Sequence, residues 1–311
     1  PQNHLEDLTE ARELVKTGSF DDVQMIYDDV PDTLSQLIRT AFIPRQGMKF
    51  IVADFSAIEA RVIAWLADEQ WVLDAFANNK DLYCETASRM FGVPVEKHGI
   101  NGELRQKGKQ CTLSCSYGGA KGALIAMGAI DSGMKEDELQ PLVIAWREAN
   151  PNIVRFWHSL EQCAMKCIKE KTVTKTNRLT FSYEAGFLFI ELPSGRRLAY
   201  AKPRIGENKF GGESITYMGI NAQKKWDRLE TFGGKIAENV CQAVARDLLM
   251  YSMQTLSHCF IVATVHDEII IEASKDMSLD VVCQQMARTP KWAEGLILRA
   301  DGYECEYYKK D

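Results

Sequence analysis

Residues 260–273 read FIVATVHDEIIIEA, two β-branched apolar runs separated only by His266-Asp267, the length of a tight β-hairpin turn. Far upstream, MKFIVADF at 48–55 follows Pro44 and Gly47, reads as a buried strand, and also delivers an aspartate, Asp54, to its end. The next segment, SAIEARVIAWLADE (56–69), has apolar residues at 58, 62, 65 and 66, a helical period. Ser56 and Glu59 there make the S-x-x-E capping box that starts such a helix. FLFIEL and RRLAYA flank Pro193-Ser194-Gly195 as a second hairpin. The rest alternates long helical stretches with a few short strands. The expected class is α+β: a small antiparallel sheet carries the sites, and a helical block sits between its sequence-distant strands.

Composition limits the alternatives. The chain has 311 residues, 46% hydrophobic and 26% charged, which excludes disorder, collagen and coiled coil and suits one large or two interleaved domains. No apolar run approaches the roughly 18 to 20 residues that span a bilayer, and PQNHLEDLTEARELVK at the start lacks a cationic segment followed by an apolar one. The expectation is a cytoplasmic protein without membrane partners. Beginning at Pro1 rather than Met suggests a piece of a longer polypeptide or a processed product. Nine cysteines, an odd count without an export signal, read as reduced thiols rather than a disulfide framework. Cys111/Cys115 and Cys163/Cys167 each fall on one helix face, but no CxxC or His partner at zinc-finger spacing accompanies them, so a zinc module is disfavoured.

A net charge of −6 argues mildly against a polyanionic partner, but the distribution reverses that. From Arg105 to Ile130 there is no Asp or Glu, while Arg105, Lys107, Lys109 and Lys121 are all cationic. KCIKEKTVTKTNR (166–178) is a second basic stretch, and Arg196, Arg197, Lys202 and Arg204 make a third. Basic surfaces on an acidic chain are expected where anionic ligands bind at defined places.

Asp54, Asp267 and Glu268 are either turn and cap residues or carboxylates converging on a hard cation such as Mg²⁺. Two such ions about 3.5 to 4 Å apart would stabilise both oxygens of an in-line phosphoryl displacement. Arg105, Lys109, Leu113 and Tyr117 recur every four residues and form one helical stripe that Gly118 and Gly119 end. Such a stripe either grips phosphates at one end and stacks on a base at the other, or is an ordinary amphipathic face with a core tyrosine.

Together these residues carry a resemblance. VADFSAIEAR (52–61) is similar to motif A of the family A DNA polymerases, the bacterial DNA polymerase I group and in particular its bacteriophage branch. RQKGKQCTLSCSYGG (105–119) is similar to motif B, R-x3-K-x7-YG, and VHDEI (265–269) to motif C. PQN at the start, IRTAF (38–42), ETASRMFGVP (85–94), SGRR (194–197) and the Gln242 region extend the likeness over essentially the whole chain.

The resemblance implies a right-hand fold with an antiparallel palm sheet and largely helical fingers. Its division would be 1–75 palm with motif A, 76–204 fingers with motif B and the return to the palm, 205–232 a phage-type insertion, and 233–311 palm with motif C. It implies template-directed DNA synthesis, with primer-template DNA and dNTPs as partners and two Mg²⁺ ions, for which Mn²⁺ can substitute. Asp54, Asp267 and the Phe55 carbonyl would hold the metals, with Glu268 as a supporting catalytic carboxylate. Arg105 and Lys109 would bind the triphosphate, with Leu113 and Tyr83 also at the nucleotide. Tyr117 would pack on the nascent pair, and Glu59 would be the gate against a 2′-OH. His266, Gln242, Gly118, Arg196 and Arg197 would touch DNA, while Arg61 would be structural.

The departures from the pattern are informative. Leu113 stands where many relatives carry an aromatic residue, which implies low sensitivity to 3′-deoxy terminators. Tyr83 stands where bacterial relatives usually have His, and Ala57 replaces a polar residue. The thumb and exonuclease segments of the family would lie outside this sequence or in a separate chain. Competing readings are a single-subunit RNA polymerase, which would carry a small residue at Glu59 and lack Glu268, and a non-catalytic nucleic-acid-binding remnant.

Overall fold

The computed structural model describes residues 5, 7–208 and 211–309. The PQN likeness and two positions of the 205–232 segment lie outside the described residues. The helices are α1 (Leu8–Lys16), α2 (Phe20–Tyr27), α3 (Val30–Leu37), α4 (Ile58–Ala67), α5 (Gln70–Ala77), α6 (Leu82–Phe91), α7 (Leu104–Cys115), α8 (Lys121–Ala126), α9 (Leu139–Ala149), α10 (Pro151–Glu170), α11 (Gly233–Thr255) and α12 (Leu279–Met286). The strands are β1 (Met48–Phe55), β2 (Thr174–Thr176), β3 (Leu179–Glu184), β4 (Phe187–Glu191), β5 (Arg197–Glu207), β6 (Glu213–Ile220), β7 (Trp226–Thr231), β8 (Phe260–Val265), β9 (Glu268–Ser274) and β10 (Ala300–Cys305). The chain divides into two compact units, one of residues 1–56, 249–288 and 299–311, the other of 57–248 and 289–298. This grouping sets α4 and α5 with the second unit.

The first unit holds a four-stranded antiparallel sheet in the order β10-β1-β9-β8. The strands form where expected because MKFIVADF and EIIIEA are apolar on both faces. Phe50, Val52, Ile270 and Tyr308 pack as a cluster on one side, and Ile51, Ala53, Ile269 and Ile271 are fully buried. On the central strand, β1, Val52 stands between Ile270 and Tyr303. Strand β10 approaches β1 closely at Gly302, where a Cβ would collide with the Val52 carbonyl.

The second unit combines α4 to α10 with a six-stranded antiparallel sheet in the order β2 through β7. This sheet exceeds the few short strands expected from the sequence: the hairpin at Pro193-Ser194-Gly195 is its centre, and the 205–232 segment supplies the end of β5 and all of β6 and β7. Those strands carry polar and glycine residues, which weaken the alternating signature.

Within this unit, Trp146 and Trp157 stack with centroids 6.2 Å apart and planes 8° from parallel. The start of α10 is capped from a distance, because Asn150 makes no side-chain cap there. Instead the Glu69 carboxylate, 3% exposed, accepts the backbone N–H groups of Asn152 (2.8 Å) and Ile153 (3.2 Å). Replacing Glu69 with Ala strands these donors and is expected to cost about 1–3 kcal/mol in urea unfolding, with Gln restoring part of it.

Candidate active site

In the first unit the register places acids side by side. Asp54, next to last in β1, is the cross-strand partner of Glu268 on β9 and of Asp301 on β10. Asp267 follows in the β8–β9 turn beside His266, whose φ of 56° is a left-handed conformation at the tight turn. Directly opposed like charges destabilise a sheet, so a row of carboxylates is retained against the sheet's own interest. The consequence is visible at Asp54, whose carboxyl is raised to about 6, first by burial and then by the charges of Asp267, Glu268 and Asp301.

Two members of this row are anchored. The Tyr308 hydroxyl donates to Glu268 Oε1 at 2.7 Å, and Tyr308 is 5% exposed, with its N–H on the Phe42 carbonyl at 2.9 Å. Arg299 donates through Nε (3.1 Å) and Nη2 (3.0 Å) to Asp301 Oδ1. Asp301 and Tyr308 carry no sequence motif; only the pairing of β10 with β1 reveals the first, and only the fold of the last residues reveals the second. The Phe55 side chain is buried at 2% exposure beside Asp54.

Among the described residues no three His, Cys, Asp or Glu side chains already converge as a metal site. The donor set nonetheless suits a hard divalent cation: it is all oxygen, and the mutual repulsion that raises Asp54 is what such an ion relieves. The paired cysteines of α7 differ in this respect, because burial pushes the Cys111 and Cys115 thiols up to about 12 and disfavours the thiolate that zinc requires.

In the second unit α7 carries Arg105, Lys109 and Leu113, but it ends at Cys115, so Tyr117 lies in the following turn rather than on the expected helical stripe. Arg105 is already engaged: Nε (2.9 Å) and Nη2 (2.8 Å) both donate to Asp81 Oδ2, and its guanidinium lies 5.2 Å from the Tyr83 ring centre. Asp81 also caps α6 by accepting the N–H groups of Tyr83 and Cys84, each at 3.0 Å. Burial raises the Asp81 carboxyl less than Arg105 and these N–H groups lower it, so the net shift is downward. Lys109 has no ion-pair partner among the described residues, and Leu113 is 48% exposed.

Tyr117 meets Glu59 within this same unit. Its hydroxyl donates to Glu59 Oε2 at 2.7 Å, and burial, then Cys241 and Glu59, push the phenol far above its ordinary range. The capping box expected of Glu59 is absent: α4 starts after Ala57, in a left-handed conformation (φ 52°), with no side-chain cap. The turn beneath Tyr117 is fastened by Trp157 Nε1 on the Ser116 carbonyl (2.8 Å) and by Arg147 Nη2 on the Gly119 carbonyl (3.2 Å). Gly118 takes φ 81°, and at Gly234 a Cβ would strike the Tyr117 carbonyl, so both glycines are required.

Arg196 and Arg197 differ. Arg196 is tied to α11 through Nε on Asp247 Oδ1 (2.6 Å) and Nη2 on the Ala243 carbonyl (2.7 Å). Arg197 is exposed, 3.1 Å from Glu184 and over the Phe189 ring. Gln242 projects from α11 as an exposed residue between buried Cys241 and Ala243. Arg61 is buried, with Nη1 on the Ile297 carbonyl at 2.9 Å and its guanidinium over Phe76.

A family model described as DNA polymerase family A matches residues 22–292. The DNA polymerase of Bacillus phage SP02 is 49% identical over 316 residues, covering 100% of this chain and 49% of that protein. The thermostable DNA polymerase I of Thermus aquaticus is 27% identical over 251 residues, 78% of this chain and 25% of that protein. A solved structure described as the POL domain of Pol1 from M. smegmatis in complex with DNA primer-template and dNTP matches with a TM-score of 0.58 and 20% identity, over 87% of this chain and 42% of that one. This last likeness shows a shared fold. The chain spans about half or less of the length of these relatives.

Proposed function

The chain belongs to DNA polymerase family A, and from this we propose that it adds dNMP from dNTP to a primer 3′-hydroxyl, directed by a template, with release of pyrophosphate. The observation that carries the reading is the row of Glu268, Asp54 and Asp301 with Asp267 beside it. Asp54 and Asp267, with the Phe55 carbonyl, would hold Mg²⁺, which when bound lowers the pKa of a hydroxyl nucleophile and offsets phosphate charge. Glu268, fixed by Tyr308, keeps the local field negative and supports the two aspartates. In the second unit, Lys109, which has no ion-pair partner among the described residues, offers its ammonium to the triphosphate, and Arg105 joins it on loosening from Asp81. Tyr83 lines the same end. Tyr117 offers a ring face to the nascent pair with its hydroxyl held by Glu59, and that bond presents the Glu59 carboxylate against a 2′-OH. His266, Gln242, Gly118, Arg196 and Arg197 serve DNA contact, Arg196 chiefly by holding its strand to α11.

The test is Mg²⁺-dependent extension of a primed template with dNTPs and rNTPs in parallel. Extension with dNTPs alone is expected. A folded chain that binds dNTP and primed template in Mg²⁺ without extending the primer overturns the reading in favour of a binding module. Glu59→Ala is expected to narrow the preference for dNTP over rNTP by about ten- to a hundredfold, read from single-nucleotide incorporation rates. Equal preference in wild type and variant removes Glu59 from that role.

A further inference from the structure

The six-stranded sheet has one face buried, and on the other the described residues of β5, β6 and β7 are half-buried or exposed apart from Ser214. Leu179, Phe181, Leu188, Ile190, Tyr200 and Ile215, each at most 5% exposed, make the face that packs on α10. The register fixes the residues of the other face. Met218 stands between Ala201 and Arg228, Thr216 between Arg204 and Glu230, and Ile220 opposite Trp226. Arg204, Met218, Ile220, Trp226 and Arg228 therefore share one side. Ile220 is 67% exposed and Trp226 61%.

The charges on this side are unbalanced. Arg228 Nη1 donates to Thr216 Oγ1 (3.1 Å) and the Lys202 carbonyl (3.3 Å), both neutral acceptors. Arg204 and Lys202 are exposed and have no carboxylate partner among the described residues. The bulge between Ala201 and Arg204, with Lys202 at φ 46°, inserts an extra residue at this point. Among the described residues of β5, β6 and β7, Glu230 is the one carboxylate whose register places it on this face. Further along the same face, Phe187 and Phe189 stack at 5.8 Å, and the Arg197 guanidinium sits 4.3 Å over Phe189. The exposed Lys224 and Lys225 in the β6–β7 turn are explained by protection of the sheet edge at β7; an exposed Trp226 beside Ile220 is not.

We propose that the solvent face of β5, β6 and β7 binds single-stranded nucleic acid, with Arg204, Arg228 and Lys202 on phosphates and Trp226 stacked on a base. Guanidinium and ammonium groups without carboxylate partners complement a polyanion, and an indole face accepts any unpaired base. A base held in duplex has no face free for Trp226, so the platform selects single strands. Protein interfaces also favour Trp, Met and Arg but are depleted in Lys, so Lys202 beside the two arginines is what favours a polyanion here. Binding here uses neither Asp54 nor Asp267, so it stands apart from nucleotide addition and survives failure of that reading.

The probe is a short fluorescein-labelled oligothymidylate, titrated by anisotropy across a range of salt. Trp226→Ala is expected to weaken binding on the order of tenfold. Arg204→Gln with Arg228→Gln is expected to lower the salt slope of log K by about 1.4, since each phosphate contact on a single strand contributes about 0.7. Affinity and salt slope unchanged in both variants, absence of binding by wild type, or equal loss for a matched duplex would each overturn the proposal. Should Trp226→Ala fail to fold by circular dichroism, the double arginine variant decides alone.

Discussion

Asp267→Asn extends a primed template at least about a thousandfold more slowly than wild type, a loss of about 4 kcal/mol in the barrier. The expectation rests on where the side chain stands. Asp267 lies in the β8–β9 turn next to Glu268, and its charge is one of those that raise Asp54 to about 6. It supports no strand pairing that Asn cannot support. Removing one negative charge from a crowded row relieves repulsion, so the variant should unfold at the same or slightly higher denaturant concentration. Lost activity with stability unchanged or raised separates a chemical role from a structural one. If more than a tenth of the wild-type rate survived, the acid row would not be the seat of the reaction. Single-turnover extension and urea unfolding on the same preparation provide both readings.

Trp146→Ala is the largest stability effect expected in the second unit, about 3–5 kcal/mol in urea unfolding. Trp146 is 1% exposed and lies flat on Trp157, which in turn holds the Ser116 carbonyl at the end of the Tyr117 turn. Truncation removes the stacking partner and opens a cavity that neighbouring helices cannot fill without moving. Some of the loss should reach function, because a shifted Trp157 loosens the turn and with it the Tyr117 hydroxyl bond to Glu59. A weaker dNTP apparent affinity together with the stability loss is the expected pattern. Trp146→Phe, which keeps a ring for stacking, should recover much of both. A Trp146→Ala variant as stable as wild type would show that the indole pair is not part of the unit's core.

The sequence made some of this readable and hid the rest for physical reasons. Two fully apolar strands, each delivering an aspartate, announced the four-stranded sheet, and the hairpin length at His266-Asp267 set its register. Asp54 and Glu268 are cross-strand partners, a pairing that follows once β1 and β9 lie side by side. Asp301 was silent because its importance comes from pairing with a strand far away in the chain, which no local pattern encodes. The S-x-x-E spacing at Ser56 and Glu59 suggested a helix cap, but Ala57 turns left-handed and Glu59 is drawn to Tyr117 instead. Periodicity carried Tyr117 onto α7 because a four-residue spacing continues equally well through a turn, and only the backbone shows where the helix stops. Of the second unit's sheet only the central hairpin was readable, because β6 and β7 interrupt their inward positions with polar residues and glycine.

The acid row has a consequence in time as well as in space. Asp54 stands on the inner strand β1, Glu268 on β9 far later in the chain, and Asp301 on β10, later still. A nascent chain on the ribosome carries Asp54 on a strand with both edges vacant until β9 and β10 have emerged, and closing such distant pairs is the slow part of folding. The helical unit encoded in between is free to organise first. The acid row is thus completed only once β10 has been made, so a chain cut before Ala300 that still folds its helices and larger sheet carries no assembled row of acids.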